Sequence, residues 1–127
     1  MKKSVILLVL LFYVSFVYAQ DFSVTDLVIK NTIKPDGVAK FQLSVKNDGR
    51  YGVFKISVLS PEWISDLDEY LLSLSNNEVE STEISLRPKK DVNAGNNKVI
   101  LLVNALNDEN RSLQYPLNVM VILLLQE

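Results

Sequence analysis

Residues 61–96 read PEWISDLDEYLLSLSNNEVESTEISLRPKKDVNAGN. A Trp stands just after a Pro, two short runs alternate apolar and polar residues, and an Asp-Val-Asn-Ala-Gly turn closes the stretch. Period-two alternation buries one side of a run and leaves the other in water, the pattern of half-buried strands. In Tyr70 to Ser75 the inward set is Leu72 and Leu74. In Val79 to Arg87 it is Thr82, Ile84 and Leu86, with Ser81, Glu83 and Ser85 outward. Pro61 cannot donate to a ladder, so pairing should stop there. Trp63 then falls in a connection across the end of a sandwich, where its large apolar surface can plug the space between two sheets. Asn76-Asn77-Glu78 turns the chain, and Gly95 is the expected left-handed position of the closing loop. Ser65 to Leu72 offers one local helical pattern, with Ser65 as cap and Asp68 at the box position, long enough for a single turn.

The same alternation extends on both sides. Phe22 to Ile33 predicts a first strand or strand pair. Lys34-Pro35-Asp36-Gly37 predicts a turn in which Pro presets one φ angle and Gly takes a positive one. Val38 to Asn47 places Phe41, Leu43 and Val45 on one face, and Asn47-Asp48-Gly49-Arg50 carries the Asp-Gly signature of a tight hairpin. Val53 to Ser60 turns Phe54, Ile56 and Val58 inward. Lys98 to Leu106 is apolar enough for a central strand. Asn107 to Asn110 turns, and Arg111 to Leu125 forms the last strand, with Pro116 marking a bulge or an edge segment. The total is about seven antiparallel strands with turn signals every eight to twelve residues. The expected fold is an all-β, immunoglobulin-like sandwich over residues 20–127.

Residues 1–19 read differently. Lys2 and Lys3 precede the run Ser4 to Ala19 (SVILLVLLFYVSFVYA), and Val17-Tyr18-Ala19 precedes polar Gln20-Asp21. A positive n-region, an apolar h-region and small side chains at the exit predict a signal peptide. As a helix the run reaches roughly 24 Å against a hydrocarbon core near 30 Å, so a retained N-terminal anchor is the second reading. Either one puts the body outside the cytoplasm, secreted or at the cell surface, with membrane contact only if the segment is retained.

Composition limits the chemistry. The chain has 127 residues, a net charge of −2, no His and no Cys. Disulfides are excluded, the usual zinc, haem and iron–sulfur ligands are missing, and no cofactor is expected. The charges are interspersed without a basic run, which gives nucleic acid no footing. Acid–base catalysis would fall to carboxylates, Lys or Tyr. The densest acidic group is Glu62, Asp66, Asp68 and Glu69. Its spacing demands neither a glycosidase pair nor a calcium loop, and a solvated loop is the simpler expectation. No catalytic or metal-binding residue is therefore assigned.

The order Pro61-Glu62-Trp63-Ile64, a Leu-bearing strand, Glu78 to Pro88 (EVESTEISLRP) and Asp91 to Asn96 resembles the NPCBM-associated, alpha-galactosidase-associated family of Ig-like domains. These recur in archaeal and bacterial surface and secreted proteins. The resemblance covers roughly residues 38–106. Asn76-Asn77-Glu78 departs from the family's Pro-Gly-Glu turn, and Asn97-Lys98 stands where an aromatic often follows the Gly. The resemblance implies a non-catalytic extracellular spacer or interaction module and carries over no functional residue.

Three features bear on function. Asn110-Arg111-Ser112 is a glycosylation sequon, with Asn110 in an expected exposed turn. Trp63 could stack on a sugar, which makes a small carbohydrate-binding module the alternative function, although core packing is the simpler role for a lone Trp. Val119 to Leu125 (VMVILLL) is apolar on both faces, where one face of a sandwich strand should suffice. A loop or the N-terminal segment could cover the second face. Alternatively Val119, Val121, Leu123 and Leu125 could form a docking surface for a protein partner or a second copy, through a sheet edge or face.

Overall fold

Alternation decides which side of each strand is buried. In β3 (Ala39–Asn47) the odd positions are buried throughout. In β4 (Gly52–Val58) Phe54 and Ile56 are buried, and in β8 (Gly95–Ala105) Val99, Leu101 and Val103. The remaining strands are β1 (Phe22–Lys30), β2 (Thr32–Ile33), β5 (Trp63–Ser65), β6 (Tyr70–Leu74), β7 (Val79–Pro88) and β9 (Asp108–Val121). The structure is a computed structural model that describes residues 21–89 and 92–123. The strands make a four-stranded sheet in the order β1-β3-β7-β5 and a five-stranded sheet in the order β2-β9-β8-β4-β6. The buried faces of the two sheets share one apolar core, and the fold is an immunoglobulin-like β-sandwich.

Among the described residues nine strands stand where about seven were expected. The run 22–33 is indeed a pair. It divides at Asn31, whose carbonyl accepts from Met120 N at 2.7 Å, so that β2 joins β9 in parallel while β1 stays with β3. The other addition is β5: Trp63 belongs to an edge strand, paired with Pro88 of β7, and its side chain is only 4% exposed. Burial of the indole in the core between the sheets is the plug expected of it. The helical pattern at Ser65 to Leu72 is not used. Bends over Asp66 to Asp68 lead from β5 into β6 instead.

Every connection except β8–β9 changes sheets. The expected hairpin at Asp48-Gly49 is therefore a crossing from β3 to β4, with the two strands in different sheets. A short Asp-Gly signal specifies a tight reversal of the backbone, not which ladder the next strand joins. Gly37 also differs from expectation. Its N–H closes a turn on Lys34 O at 2.9 Å, but among the described glycines only Gly95 has positive φ, at 110°. Pro116 pairs with Ile100 without a break in register. Since β2 reaches only Met120 and Val121, Pro116 lies on an edge segment and not at a bulge.

Crossings interrupt ladders and leave backbone groups to be satisfied at the sandwich end. Asn47, fully buried, does this at one end. Its Nδ2 donates to Arg50 O (2.8 Å) and Leu74 O (3.0 Å). Its Oδ1 accepts from Gly49 N (3.0 Å) and Arg111 Nη2 (2.6 Å). Its backbone N–H and C=O bond to Glu78 and Asn77 across the β6–β7 crossing. Arg111, 5% exposed, also donates to Arg50 O at 3.1 Å, pairs with Asp21 Oδ1 at 2.7 Å and lies 5.0 Å over the Phe54 ring. Gly49 allows the close approach, because an added Cβ would collide with the Asp21 carboxylate. All donor and acceptor sites of the Asn47 amide are thus used.

Loss of both donors should outweigh any gain from an added charge. Asn47→Asp keeps the acceptor for Arg111 but turns a carboxylate toward two carbonyl oxygens, and should cost about 2 kcal/mol. Asn47→Ala should cost about 3 kcal/mol. Urea unfolding followed by Trp63 fluorescence measures both, and an Asp variant as stable as wild type would contradict the donor role.

Candidate interaction face

The two outer faces of the sandwich carry different chemistry. On the four-stranded sheet the central outward rows are polar. Ser44 faces Ser81 with their hydroxyls 2.7 Å apart, Gln42 faces Glu83 and Lys40 faces Ser85. Exposed Leu27 and Ile29 stand at the rim of that sheet, on edge strand β1. On the five-stranded sheet the positions that alternate with Leu101, Val103, Leu117, Val119 and Val121 form a face with an apolar centre. Cross-strand rows on it are Ser57–Leu102–Gln114, Ile100–Pro116 and Asn96–Met120–Thr32. Leu71 of β6 adds an outward side chain beside Lys55. Ile100 and Leu102 are half-buried, while Leu71 and Met120 are exposed. The charges on these rows are Lys55 and Lys98, and no Asp or Glu lies on them, although the chain as a whole is acidic by two charges. Asn104 sits among these residues, opposite Lys55 and Ser112. Its Oδ1 is buried and has no hydrogen-bond partner among the described residues.

The residues expected to dock a partner fall on both sides of this sheet. Val119 and Val121 are buried in the core and form no surface. Alternation within β9 turns Met120 outward in their place, and Ile122 just beyond the strand is partly exposed. Leu123 is 64% exposed, and Leu125 lies outside the described residues. An unbroken apolar run hides this parity, since only the register with β8 says which residues point inward. Asn110 is exposed, within β9 and not in a turn, and its N–H donates to Asp108 Oδ1 at 3.0 Å.

Other sites are less developed. An open depression of about 600 Å³ is lined by Pro61, Glu62, Ile64, Arg87, Pro88 and Lys89. Trp63 lies next to it in the chain, but its ring is buried, so a sugar would find no aromatic platform there. The four acidic residues of that end do not form one cluster. Asp66 accepts from the Tyr70 hydroxyl and Glu69 lies 3.8 Å from Lys55. The Tyr70 bond holds the Asp66 carboxyl below its ordinary value, and burial with the same bond pushes the Tyr70 phenol well up. Tyr115, desolvated and bonded to Asp26, is pushed up to about 12. Among the described residues no group of three or more His, Cys, Asp or Glu side chains could hold a metal ion. Among them, too, no helix is long and apolar enough to cross a membrane.

No protein-family model matches the chain, and no curated protein matches it. Solved structures do. A FixG-related protein from Vibrio parahaemolyticus aligns with a TM-score of 0.61 at 12% identity, over 82% of this chain and 99% of that one. The CARDB domain of the PF1109 protein from Pyrococcus furiosus, solved in complex with di-metal ions, aligns with a TM-score of 0.52 at 17% identity, over 81% and 94%. A β-glucosidase from Erythrobacter marinus gives 0.51 at 14% identity, over 80% of this chain but 15% of the enzyme. Identities this low establish likeness of fold alone. The CARDB domain is itself Ig-like, in keeping with the two-sheet architecture.

Two measurements follow from this geometry. Asn104→Leu removes an unpaired buried acceptor and should raise stability by about 1 kcal/mol in urea unfolding. A depressed carboxyl contributes stability that is complete above its unfolded value and is lost as pH falls through its native value. Tyr70→Phe should return Asp66 toward 3.8 in an NMR titration and weaken that acid-side dependence.

Proposed function

We propose that the chain is a non-catalytic, extracytoplasmic Ig-like module that docks a protein partner through the outer face of its five-stranded sheet. The observation that carries this reading is the make-up of that face: an apolar centre around Ile100, Leu102, Pro116 and Met120, with Lys98 on one side and Lys55, paired with Glu69, on the other. Charge depletion at the centre of a patch with apolar side chains is the composition of an interface core. A partner with an apolar contact and an acidic group at its rim fits Lys98. On the other sheet Leu27 and Ile29 stand beside rows that hold Lys40 and Glu83, so its centre is not depleted of charge.

The place of action rests on residues 1–19, whose charged, apolar and small-residue order is that of a secretory leader. The motifs from Pro61-Glu62-Trp63 to Gly95 support kinship with the NPCBM-associated modules of surface and secreted proteins. A sugar-binding role is the weaker reading, because it was built on an exposed Trp63 and that ring is buried.

Site-specific photo-crosslinking in the producing cell tests the face. A photoreactive residue at Asn118 or Met120 should give a discrete adduct, and one at Ser44 on the opposite sheet should give none. No adduct from either β9 position, or equal adducts from both sheets, would refute the docking face. Mass spectrometry of the exported protein should find Gln20 at its N-terminus.

A further inference from the structure

We propose that the sandwich is a load-bearing unit, in which tension between the entry of the fold at Asp21 and its exit at Leu123 is carried by a row of ties between the first strands and the last. This function is independent of the docking face.

Chain direction sets up the geometry. Asp21 lies near the start of β9, against Arg111, and Leu123 lies just beyond the end of β9. About 40 Å of extended strand separates the two points. β1 and β2 follow β9 along this length, in the same direction, and four contacts link them. The Asp21 carboxylate pairs with Arg111 Nε at 2.7 Å, and the Asp26 carboxylate accepts from the Tyr115 hydroxyl. Asn31 O accepts from Met120 N at 2.7 Å, and Ile33 O accepts from Ile122 N at 2.9 Å. In every case the partners are 89 or 90 positions apart, so the ties keep one register from end to end.

The ties give tension a path that the ladders lack. β1 is paired with β3 in one sheet and β9 with β8 in the other. Between the sheets lies the apolar core, whose attraction is non-directional. Tension draws β1 and β2 toward the entry and β9 toward the exit. Ladder bonds stand across that motion, and the ties join the two strands that carry it. All are loaded together, whereas strands peeled apart from one end lose their bonds in turn. Asp26 fits this role. It stands at an inward position of β1, in line with buried Phe22 and Val24, where an apolar residue would serve the core. Asp21 anchors the entry a second time, since its carbonyl accepts from Asp48 N at 2.8 Å.

Single-molecule force spectroscopy separates this role from ordinary stability. The chain has no Cys, so handles attach only where one is introduced. Ser23→Cys/Leu123→Cys pulls the fold lengthwise through exposed positions of the entry and the exit. Asn93→Cys/Leu123→Cys pulls at the open end of the β8–β9 ladder, next to the Gly95–Val121 pair, and peels it. At one loading rate the lengthwise geometry should need at least about twice the force of the peeling geometry. Tyr115→Phe keeps the ring and deletes one tie. It should lower the lengthwise force by roughly a fifth and leave the peeling force unchanged, because peeling yields at Val121 before it reaches Tyr115. A lengthwise force no greater than the peeling force would overturn the proposal. So would a Tyr115→Phe effect that is absent from the lengthwise force or equal in both geometries.

Discussion

The hydrogen bonds made by the Asn47 amide and by Arg111, which also bond to each other, hold together parts of the chain that no ladder joins. They connect the start of β1, the β3–β4 crossing, the end of β6 and the start of β9. The topology makes such a centre necessary. Each time the chain changes sheets, its backbone leaves one set of partners before it reaches the next. With no Cys to staple the ends, the carbonyls of Arg50 and Leu74 must find donors within the fold. A primary amide supplies two donors and two acceptors in one plane, which Asp, Ser or Gln could not do in the same space. Arg111 brings a charge into this buried setting, and Asp21, the Phe54 ring and two oxygen acceptors surround it. The sequon residue Arg111 is thus a structural residue.

The same crossings explain why the two faces of the sandwich differ. Alternate positions of every strand feed a single core, and the other positions are free to vary between the sheets. At the centre of the four-stranded sheet they are Ser, Gln, Lys and Glu, a surface that needs nothing further. On the five-stranded sheet they retain Ile100, Leu102, Pro116 and Met120, together with a buried acceptor on Asn104.

Much of the architecture was legible in the residues. The inward sets Phe41-Leu43-Val45, Phe54-Ile56-Val58, Leu72-Leu74 and Thr82-Ile84-Leu86 follow from period two alone, and all are buried except Val58 and Thr82, which are half-buried. Gly95 has the positive φ its place in the loop called for. The candidate face was less legible. Val119 to Leu125 signalled an excess of apolar side chains at the end of the chain, but Val119 and Val121 proved to be core. A run without polar residues carries no parity. The face was distributed over β4, β6, β8 and β9, and no single window of sequence contains it.

Local chemistry determined what each segment could be: where Pro stops a ladder, where Gly or Asn turns the chain, and which side of an alternating run avoids water. Those are interactions over a few residues, and the sequence displays them directly. Which sheet each strand joins, whether Asp48-Gly49 closes a hairpin or a crossing, and which atoms Asn47 meets depend on contacts between segments far apart in the chain, from Asp21 to Arg111. Such contacts form only when the core closes, because their energy comes from excluding water at a place that no segment creates by itself.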